Sequence, residues 1–399
     1  MYENLAIIAL FAFIYSNIAG GVERTMISGP MIFITFGLIF GPVGLGILEL
    51  DVTNVELRVV ADLTLALILF IDAANADLSI LKRNIKIPWR MLGVGLPLII
   101  LLGFGVGTLI FDGLTLYELA ILATMLAATD AALGKAVVTN QAVPAPVREG
   151  LNAESGLNDG ICVPILFVFI ALAVGTNVEG SSMGLALKLV SEEIGIGLIV
   201  GLGLAASGNW FLRFCWERGW VTDIWGQIPV VALSMGSFTL AQSLHGSGYI
   251  AAFTGGILFG HLAKKSTHKL VFAAEGIGET MALFTWVIFG AAVVGKLFEF
   301  FTWEVVIYAV LSLTVIRMLP VYLSLIGTGT DHHSKLFLGW FGPRGLASIV
   351  FAIIVLNENL PGGKTLAITV VCTVFLSVFA HGLTANPLAN ALAKKQSQS

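Results

Sequence analysis

Two acids, a hydroxyl and an amide lie close together in the stretch ESGLND, residues 154–159, inside an apolar run that reaches about residue 175. A charged side chain at the centre of a bilayer costs about 2.5–3.5 kcal/mol even on the mildest scale. At helical spacing, Glu154 and Asn158 lie four residues apart, and so do Ser155 and Asp159. The two pairs therefore line one side of one helix. This polar stripe with a carboxylate near its middle predicts a binding site for a small cation or a proton.

Asp159 is the residue at which we expect a cation and a proton to replace one another. Desolvation raises the proton affinity of a carboxylate, so a cation and a proton would compete for Asp159 in a partly dry cavity. Ser155, Asn158 and Thr129 would supply neutral oxygens suited to a hard monovalent cation. A single carboxylate, rather than an adjacent pair, predicts one proton for one cation and hence electroneutral exchange. The alternatives are a structural Asp159 bonded to its neighbours, and a second titrating group at the nearby Asp130.

Glu154 needs a cationic partner if it is buried. The candidates are Arg317, within the apolar segment 302–325, and Arg344, within the segment 334–356. We predict a structural ion pair between Glu154 and Arg317. Breaking one side of such a buried pair typically costs about 3–5 kcal/mol.

Two apolar segments carry features of broken helices. Segment 115–140 contains Thr129-Asp130 in mid-span, and segment 334–356 contains the stretch GPRG, residues 342–345. Proline and glycine free backbone groups in a spanning helix. Asp130 could then neutralise positive N-terminal helix ends and Arg344 negative C-terminal ends. For Arg344 the alternatives are simple stabilisation of the crossing and direct ion handling, whereas for Asp130 we expect a mixture of the two roles.

Three further acids and one histidine are weaker candidates. Asp72 lies late in the segment 57–76, where it either lines a cytoplasmic funnel that attracts cations or is a polar residue at a helix end. Glu275 and Glu279, one turn apart, are candidates for proton sensing. His381, inside the segment 363–392, is expected to be a hydrogen-bonded core histidine.

Composition excludes an ordinary soluble protein. Of 399 residues, 57% are hydrophobic and 12% charged, about half the charged fraction of a soluble domain. The mean hydropathy is +0.93. We predict an all-α polytopic membrane protein. The three cysteines show no metal-ligand spacing, so no cofactor is expected beyond the transported ions, and no enzyme activity or nucleic-acid partner is expected.

Runs of about 20 apolar residues predict spanning helices. We expect about thirteen, followed by a short cytoplasmic tail at 393–399, with these limits: 4–19, 27–44, 57–76, 88–111, 115–140, 149–175, 183–212, 225–243, 247–263, 271–296, 302–325, 334–356 and 363–392. They are numbered helices 1 to 13.

Lysine and arginine predict the orientation of these spans. With thirteen spans, the basic clusters all fall on one side: Arg24; Lys82, Arg83, Lys86 and Arg90; Arg148; Arg213 and Arg218; Lys264, Lys265 and Lys269; Lys394 and Lys395. The opposite loops carry acids instead: Asp51, Glu56, Asp112, Glu118 and Glu179. We therefore expect the N-terminus outside and the C-terminus in the cytoplasm, in the plasma (inner) membrane.

A short internal repeat points to inverted topology. GLIFG at 37–41 ends helix 2, and GILFG at 256–260 lies near the end of helix 9. The offset of seven helices places the copies in opposite directions through the membrane, an architecture common in secondary transporters. The same offset pairs helix 5 with helix 12, the two segments expected to be broken.

Taken together, the motifs resemble NhaP-like Na⁺/H⁺ exchangers of the monovalent cation:proton antiporter superfamily, over nearly the whole chain. Four motifs carry the resemblance: Thr129-Asp130, ESGLNDGICVP at 154–164, Arg317 in its RMLP setting, and GPRG at 342–345. The departures are the absence of proline beside Thr129-Asp130 and, in helix 3, Asp72-Ala73 where some relatives carry a glutamate.

The resemblance implies a homodimer in a lipid bilayer that exchanges monovalent cations for protons. Residues 1–76 and 225–296 would form a dimerisation scaffold, 88–175 and 302–392 a mobile core, and 183–212 a linker helix. Alternating access would come from elevator-like movement of the core. Asp159 would bind ion and proton, with Asn158, Ser155 and Thr129 around it. Asp130 would balance the crossed helices.

Three alternatives remain at this point. The same fold could prefer K⁺ over Na⁺ or Li⁺, because selectivity depends on cavity dimensions. An intramembrane aspartyl protease could use Asp130 and Asp159 as a proton-sharing dyad, although the expected Gly-x-Gly-Asp is absent. A non-transporting scaffold or receptor would leave the charges in the apolar segments unexplained.

Overall fold

The computed structural model describes residues 2–22, 25–48, 54–75, 86–130, 133, 137–138, 140–141, 143–177, 183–222, 224–263 and 267–396. Every regular element in these ranges is a helix, and the all-α prediction is confirmed. We number the helices by the predicted segments: α1 Tyr2–Val22, α2 Gly29–Phe40, α3 Asn54–Asn75, α4 Lys86–Ile110, α5 Leu116–Met125, α6 Ala145–Asn177, α7 Met183–Glu217, α8 Pro229–Ser243, α9 Gly248–Ala263, α10 Thr267–Ile288, α11 Trp303–Leu313 and Val315–Ser324, α12 His332–Trp340 and Leu346–Asn357, and α13 Gly363–Gln396.

Apolar helices long enough to cross a bilayer make this a multi-pass membrane protein. Among the described ranges, 7 helices qualify by length and composition, namely α1, α4, α6, α7, α10 with its extension, α11 and α13. Four shorter apolar helices of 10–17 residues accompany them: α2, α5, α9 and the second part of α12. Short helices are the expected result where a span is interrupted at membrane depth.

Helix boundaries differ from the sequence prediction where proline and glycine act locally. α6 begins at Ala145 rather than at 149, because Pro144 and Pro146 are compatible with a first helical turn. α2 ends at Phe40, with Gly41 as its C-cap, rather than at 44. α11 is interrupted at Thr314, a break that the uniform apolar pattern of this segment did not predict. α13 continues to Gln396, past the predicted tail boundary at 393.

Glu118 corrects one detail of the orientation argument. It was expected in an acidic loop, but it is the third residue of α5 and is 1% exposed. With Thr115 it forms a capping box, in which each side chain binds the other residue's main-chain N–H. Its Oε1 also accepts the N–H of Gly362 at 2.5 Å. The buried carboxylate thus satisfies donors at two chain segments.

The helices group into two compact units. The first contains residues 1–58, 84–155 and 282–399, and the second contains 59–83 and 156–281. α6 contributes its first turns to the first unit and, from Gly156 onward, the rest to the second. The predicted division into dimerisation scaffold and mobile core stays a prediction.

Several basic and acidic residues used to predict orientation lie outside the described ranges: Arg24, Asp51, Lys82, Arg83, Glu179, Lys264 and Lys265.

The repeated glycine motif makes an equivalent helix crossing in each unit. In the first unit, a Cβ on Gly37 would overlap the carbonyl oxygen of Val287, and one on Gly41 would lie 2.9 Å from Cα of Ala291. This places the end of α2 directly against the backbone of the π-helical extension of α10, Phe289–Val294. Only glycine allows two helices to approach so closely.

In the second unit, α9 crosses α3 in the same register. A Cβ on Gly256 would overlap the carbonyl oxygen of Phe70, and one on Gly260 would lie 2.8 Å from Cα of Ala74. The partner residues are four apart in both crossings, and the paired helices are related by the predicted offset of seven. The packing therefore agrees with the inverted repeat read from five residues of sequence.

Candidate functional site

The predicted polar stripe lies on an unbroken helix. α6 has 33 residues, and at about 1.5 Å per residue it is about 50 Å long. Asp159 is close to its middle and is 5% exposed, and Glu154, Ser155 and Asn158 are buried as well. The helical spacing of the four side chains is that predicted from the sequence.

Asn158 is oriented by its own helix. The thiol of Cys162 donates to Asn158 Oδ1 over 3.2 Å, one turn further along α6. Asp159 follows Asn158 directly in the sequence, and both residues belong to the second compact unit. The amide carbonyl of Asn158 is thus engaged within α6. The spacing of the cysteines did not predict this contact, since a cysteine in an apolar segment is most often simply a buried thiol.

Glu154 and Arg317 form a buried, two-pronged ion pair. Arg317 Nη1 lies 2.7 Å from Glu154 Oε1, and Nη2 lies 3.1 Å from Oε2. The side chains are 1% and 2% exposed. Thr129 Oγ1 donates to the same carboxylate over a longer 3.5 Å. The pair ties α6 to α11, and its geometry is the planar fork that arginine offers a carboxylate.

Arg317 lies flat against the break in α12. A Cβ on Gly342 would overlap its guanidinium at Nε. That Nε has no hydrogen-bond partner among the residues described. Gly342 is therefore needed for space rather than for a special backbone conformation. The glycine of GPRG and the arginine of RMLP are two parts of one packing unit.

Asp130 joins the broken parts of α5 and α12. Its main-chain N–H donates to the carbonyl of Pro343 at 2.8 Å. Its carboxylate accepts the N–H of Leu133 at 3.2 Å and the N–H of Leu346 at 2.9 Å. Leu346 begins the second part of α12. The carboxylate thus meets the positive N-terminal end of that helix, as the charge argument suggested.

Arg344 supplies the opposite charge at the same crossing. Its Nη1 donates to the carbonyl of Gly342 at 2.9 Å and to that of Ala128 at 3.4 Å. These carbonyls follow the first parts of α12 and α5, where helix ends are negative. Arg344 is fully buried. The crossed broken helices predicted from the sequence are confirmed, although most of the second part of α5 lies outside the described ranges.

The weaker candidates have local partners of their own. α3 and α6 approach so closely that a Cβ on Gly156 would lie 3.3 Å from the carbonyl oxygen of Asp72. Asp72 is half-buried. Glu275 Oε1 accepts from the amide of Asn75 at 2.9 Å. Glu279 is exposed. A sensing role for either glutamate stays a prediction.

Sequence reasoning missed a buried acid in the second unit. Asp62, in α3, is 6% exposed and accepts the hydroxyl hydrogen of Tyr249 at 2.6 Å. The available signal was an acid inside an apolar run.

The first unit contains a cavity of about 440 Å³ whose lining includes none of the predicted site residues. It is lined by Met318, His333, Leu336, Phe337, Trp340, Leu388, Ala391, Leu392 and Lys395.

Inverted repeats, a pair of crossed broken helices and buried charges at the crossing define a membrane transporter. The model of the transmembrane sodium/hydrogen exchanger family matches residues 6–391. The chain therefore belongs to this family. Its members are transporters, so the protein is not an enzyme and the protease alternative is not supported.

Individual relatives are similar at low identity. The Na(+)/H(+) antiporter ApNhaP of Aphanothece halophytica is 24% identical over an alignment covering 94% of this chain and 73% of that protein. The K(+)/H(+) antiporter NhaP2 of Shewanella oneidensis is 23% identical over 64% of this chain, which spans only 44% of that relative's length.

A solved structure shares the fold. The sodium proton antiporter MjNhaP1 from Methanocaldococcus jannaschii superposes with a TM-score of 0.77 at 22% identity, covering 98% of each chain.

Proposed function

We propose that this protein exchanges Na⁺ or Li⁺ for H⁺ across the cell membrane. The observation that carries the proposal is Asp159, a carboxylate buried near the middle of a 33-residue apolar helix. Ser155, one turn before it, offers a hydroxyl on the same side of α6. An ionisable residue inside a membrane-spanning helix is a functional-site hypothesis by default. Membership of the sodium/hydrogen exchanger family supports the same conclusion.

Competition at one carboxylate would couple the two fluxes. When Asp159 holds a cation it cannot hold a proton, and the loaded site changes sides with either one. Ser155, Asn158 and Thr129 would shape the cation site. Thr129 also donates to Glu154, so its part in binding would be shared with a structural one.

The stoichiometry of the proposal is one proton for one cation. Asp130 is the other acid that could titrate, but its two carboxylate oxygens accept main-chain hydrogens of Leu133 and Leu346. Protonation would remove an acceptor at a helix end where a negative charge is favoured. Asp130 therefore serves better as a fixed counter-charge, with Arg344 as its complement. Asp159 is left as the exchanging group.

Alternating access would follow the elevator movement of a core against a dimeric scaffold. We keep the predicted assignment of α1–α3 and α8–α10 to the scaffold, and of α4–α6 and α11–α13 to the core. Two contacts join helices assigned to the core: the buried pair between Glu154 and Arg317, and the hydrogen bond from Leu346 to Asp130. Both suit a core that moves as one body. The N-terminus would face outward and the C-terminus the cytoplasm, with Asp72 in the inner funnel.

The transported ion is the part of the proposal with a defined rival. One relative is named a Na(+)/H(+) antiporter and another a K(+)/H(+) antiporter. The oxygen donors on α6 suit any hard monovalent cation. We therefore propose K⁺/H⁺ exchange as the second candidate.

Proteoliposomes loaded with a pH dye test the proposal. An outward-directed acid gradient should collapse on addition of Na⁺ or Li⁺, and the rate should not change when valinomycin and K⁺ clamp the voltage. Asp159→Asn should abolish exchange while retaining folding and dimer assembly. Glu192→Gln, which removes an exposed acid of α7, is the matched control and should exchange normally.

Each other outcome changes one component of the proposal. A response to K⁺ but not to Na⁺ would select the K⁺/H⁺ candidate. Voltage dependence would show that more than one proton moves per cation and would turn attention to Asp130. Substantial exchange by Asp159→Asn would remove Asp159 from its role. No response to any cation would contradict the exchanger function itself.

A further inference from the structure

His381 and Ser377, both on α13, contact the two ends of the break in α12. The Nε2 of His381 lies 2.9 Å from the carbonyl oxygen of Trp340, the last residue of the first part of α12. Its Nδ1 lies 3.1 Å from the hydroxyl of Ser377, one turn earlier on α13. That hydroxyl in turn accepts the N–H of Arg344, on the far side of the break, at 2.7 Å. Two side chains of α13 therefore reach the chain before and after the break.

Each ring nitrogen of His381 faces a carbonyl oxygen, since Nδ1 also lies 2.9 Å from the carbonyl oxygen of Ser377. A carbonyl oxygen only accepts, and a neutral imidazole has one N–H for the two. A hydrogen on Nε2 donates to Trp340 and leaves Nδ1 able to accept from the Ser377 hydroxyl. A hydrogen on Nδ1 would instead leave Nε2 with only an acceptor opposite it, so the Nε2–H tautomer makes more hydrogen bonds. Ser377 receives a hydrogen from Arg344 N and has its own hydroxyl hydrogen to give. The resulting relay runs from Arg344 N–H through Ser377 to Nδ1, and from Nε2–H to Trp340.

The groups that this relay serves are those exposed by the break. Helix ends leave carbonyl and N–H groups without intrahelical partners, and no water reaches them in the hydrocarbon region. The carbonyl of Trp340 already accepts the N–H of Gly342 at 2.8 Å, and His381 occupies its second lone pair. The Trp340 ring also packs against the imidazole, with centroids 5.1 Å apart and the ring planes tilted by 32°. Its indole N–H donates to Thr384 at 2.9 Å.

We propose that His381, as a neutral Nε2–H tautomer, is a positioning residue that fixes the two ends of the α12 break relative to α13. By holding the main chain at Arg344, it fixes where that guanidinium meets the carbonyls of Gly342 and Ala128. His381 does not touch the ion. Its effect on transport rests on the proposed exchanger function, whereas its tautomer does not.

Solid-state NMR of protein labelled with ¹⁵N-histidine tests the tautomer directly in lipid. At neutral pH we expect His381 to show one protonated and one unprotonated ring nitrogen. These signals should disappear in His381→Gln and persist in His261→Gln, which alters an exposed histidine of α9. Two protonated nitrogens would overturn the relay, since Nδ1 would then donate to the Ser377 carbonyl 2.9 Å away.

Exchange kinetics test the positioning role. His381→Leu should lower the maximal rate by about tenfold or more, because it removes both hydrogen bonds of the imidazole and each is worth up to about a factor of ten in an equilibrium. The apparent KM for the cation should change much less, because the binding carboxylate is untouched. His381→Gln, whose amide both donates and accepts, should recover most of the rate. A Leu variant as fast as the parent, or no recovery by Gln, would overturn the proposal.

The two measurements separate the two hypotheses. If the parent protein moves no cation at all, the exchanger function fails, while the ¹⁵N spectrum still decides the tautomer. If the Leu variant does not fold, the spectrum of the parent protein still decides the tautomer, and the exchange rate of the Gln variant still tests the positioning role.

Discussion

The carboxylate of Asp130 fills the space that a side chain at Gly345 would need. A Cβ built on Gly345 would overlap Asp130 Oδ2, the atom that accepts the N–H of Leu346 at 2.9 Å. The absence of a side chain at Gly345 in α12 thus leaves the space that the Asp130 carboxylate of the α5 segment occupies. This explains why the glycine follows the arginine directly in GPRG.

Gly345→Ala should therefore destabilise the protein. The added methyl group must displace the Asp130 carboxylate from a helix end, and overpacking of this kind costs about 1–3 kcal/mol. Thermal unfolding in detergent should show a lower melting temperature. Gly105→Ala is the control, because a Cβ there meets nothing within 4 Å. Equal melting temperatures for the two variants would contradict the close packing at Gly345.

Breaking the ion pair between Glu154 and Arg317 should have a larger effect. Glu154→Gln leaves a buried guanidinium without its counter-charge, which costs about 3–5 kcal/mol. The double variant Glu154→Gln with Arg317→Gln should be less destabilised than the sum of the single variants. Unfolding in increasing denaturant would measure each free energy.

An exposed pair on α7 provides the comparison. Lys188 and Glu192 lie 3.7 Å apart with 71% and 56% of their side chains exposed. Lys188→Ala should cost less than about 1 kcal/mol, because exposed pairs are solvated and flexible. Additive effects at Glu154 and Arg317, or a cost as small as that of Lys188→Ala, would argue against a coupled buried pair.

The two equivalent crossings predict matched effects at Gly37 and Gly256. In each case an added Cβ would overlap a backbone carbonyl, of Val287 and of Phe70 respectively. A backbone cannot rotate away as a side chain can, so Gly37→Ala and Gly256→Ala should both destabilise, by about 1–3 kcal/mol. Melting temperatures of the two variants should fall together. Gly203→Ala, at an open position on α7, should leave the melting temperature unchanged.

Asp331 should make the start of α12 sensitive to acid. It is the N-cap of this helix and accepts the main-chain N–H groups of His333 and Ser334 at 3.0 Å. Partial burial raises the pKa of Asp331, but hydrogen bonds from the Ser334 side chain and these N–H groups lower it more, so its pKa lies below the ordinary value of 3.8. The stabilisation is present above that value and is lost as the pH falls through the lowered pKa.

Variants of Asp331 separate capping from titration. Asp331→Ala should lose about 1 kcal/mol of helix stabilisation at neutral pH, whereas Asp331→Asn should keep most of the cap. The acid-dependent part should be absent in Asp331→Asn. Hydrogen exchange of the peptide containing 332–340, followed against pH, measures both. Equal protection in the parent and the Ala variant would contradict the capping role.

Much of the fold could be read from the sequence because a bilayer imposes a strong constraint on it. Spanning helices must be apolar over about 20 residues, so the apolar segments were found with errors of only a few residues at most ends. The exceptions have local causes that apolarity does not report. Thr314 interrupts α11 inside an apolar run. Glu118 lies in the first turn of α5, where it forms a capping box with Thr115.

The candidate site was predictable for a related reason. A polar or charged residue is rare in such segments, so Asp159, Glu154, Asp130, Arg317 and Arg344 were visible as exceptions. The pairing of Glu154 with Arg317 followed from the need to neutralise a buried charge. The contacts of Cys162, Asp62 and His381 were not visible, because a thiol, a single acid or a histidine inside an apolar helix has many ordinary roles.

The sequence by itself determined the membrane class, the helical segments, the repeat and the set of buried charges. Each of these follows from the composition or from a short stretch of sequence, without knowledge of which helices pack together. Only the tertiary structure decided what those charges meet. Asp130 reaches Leu346 across 216 residues of chain, and Arg344 reaches Ala128 across the same separation. Contacts between segments so far apart depend on how whole helices pack, and no local pattern records which carbonyl or N–H group will lie at the crossing.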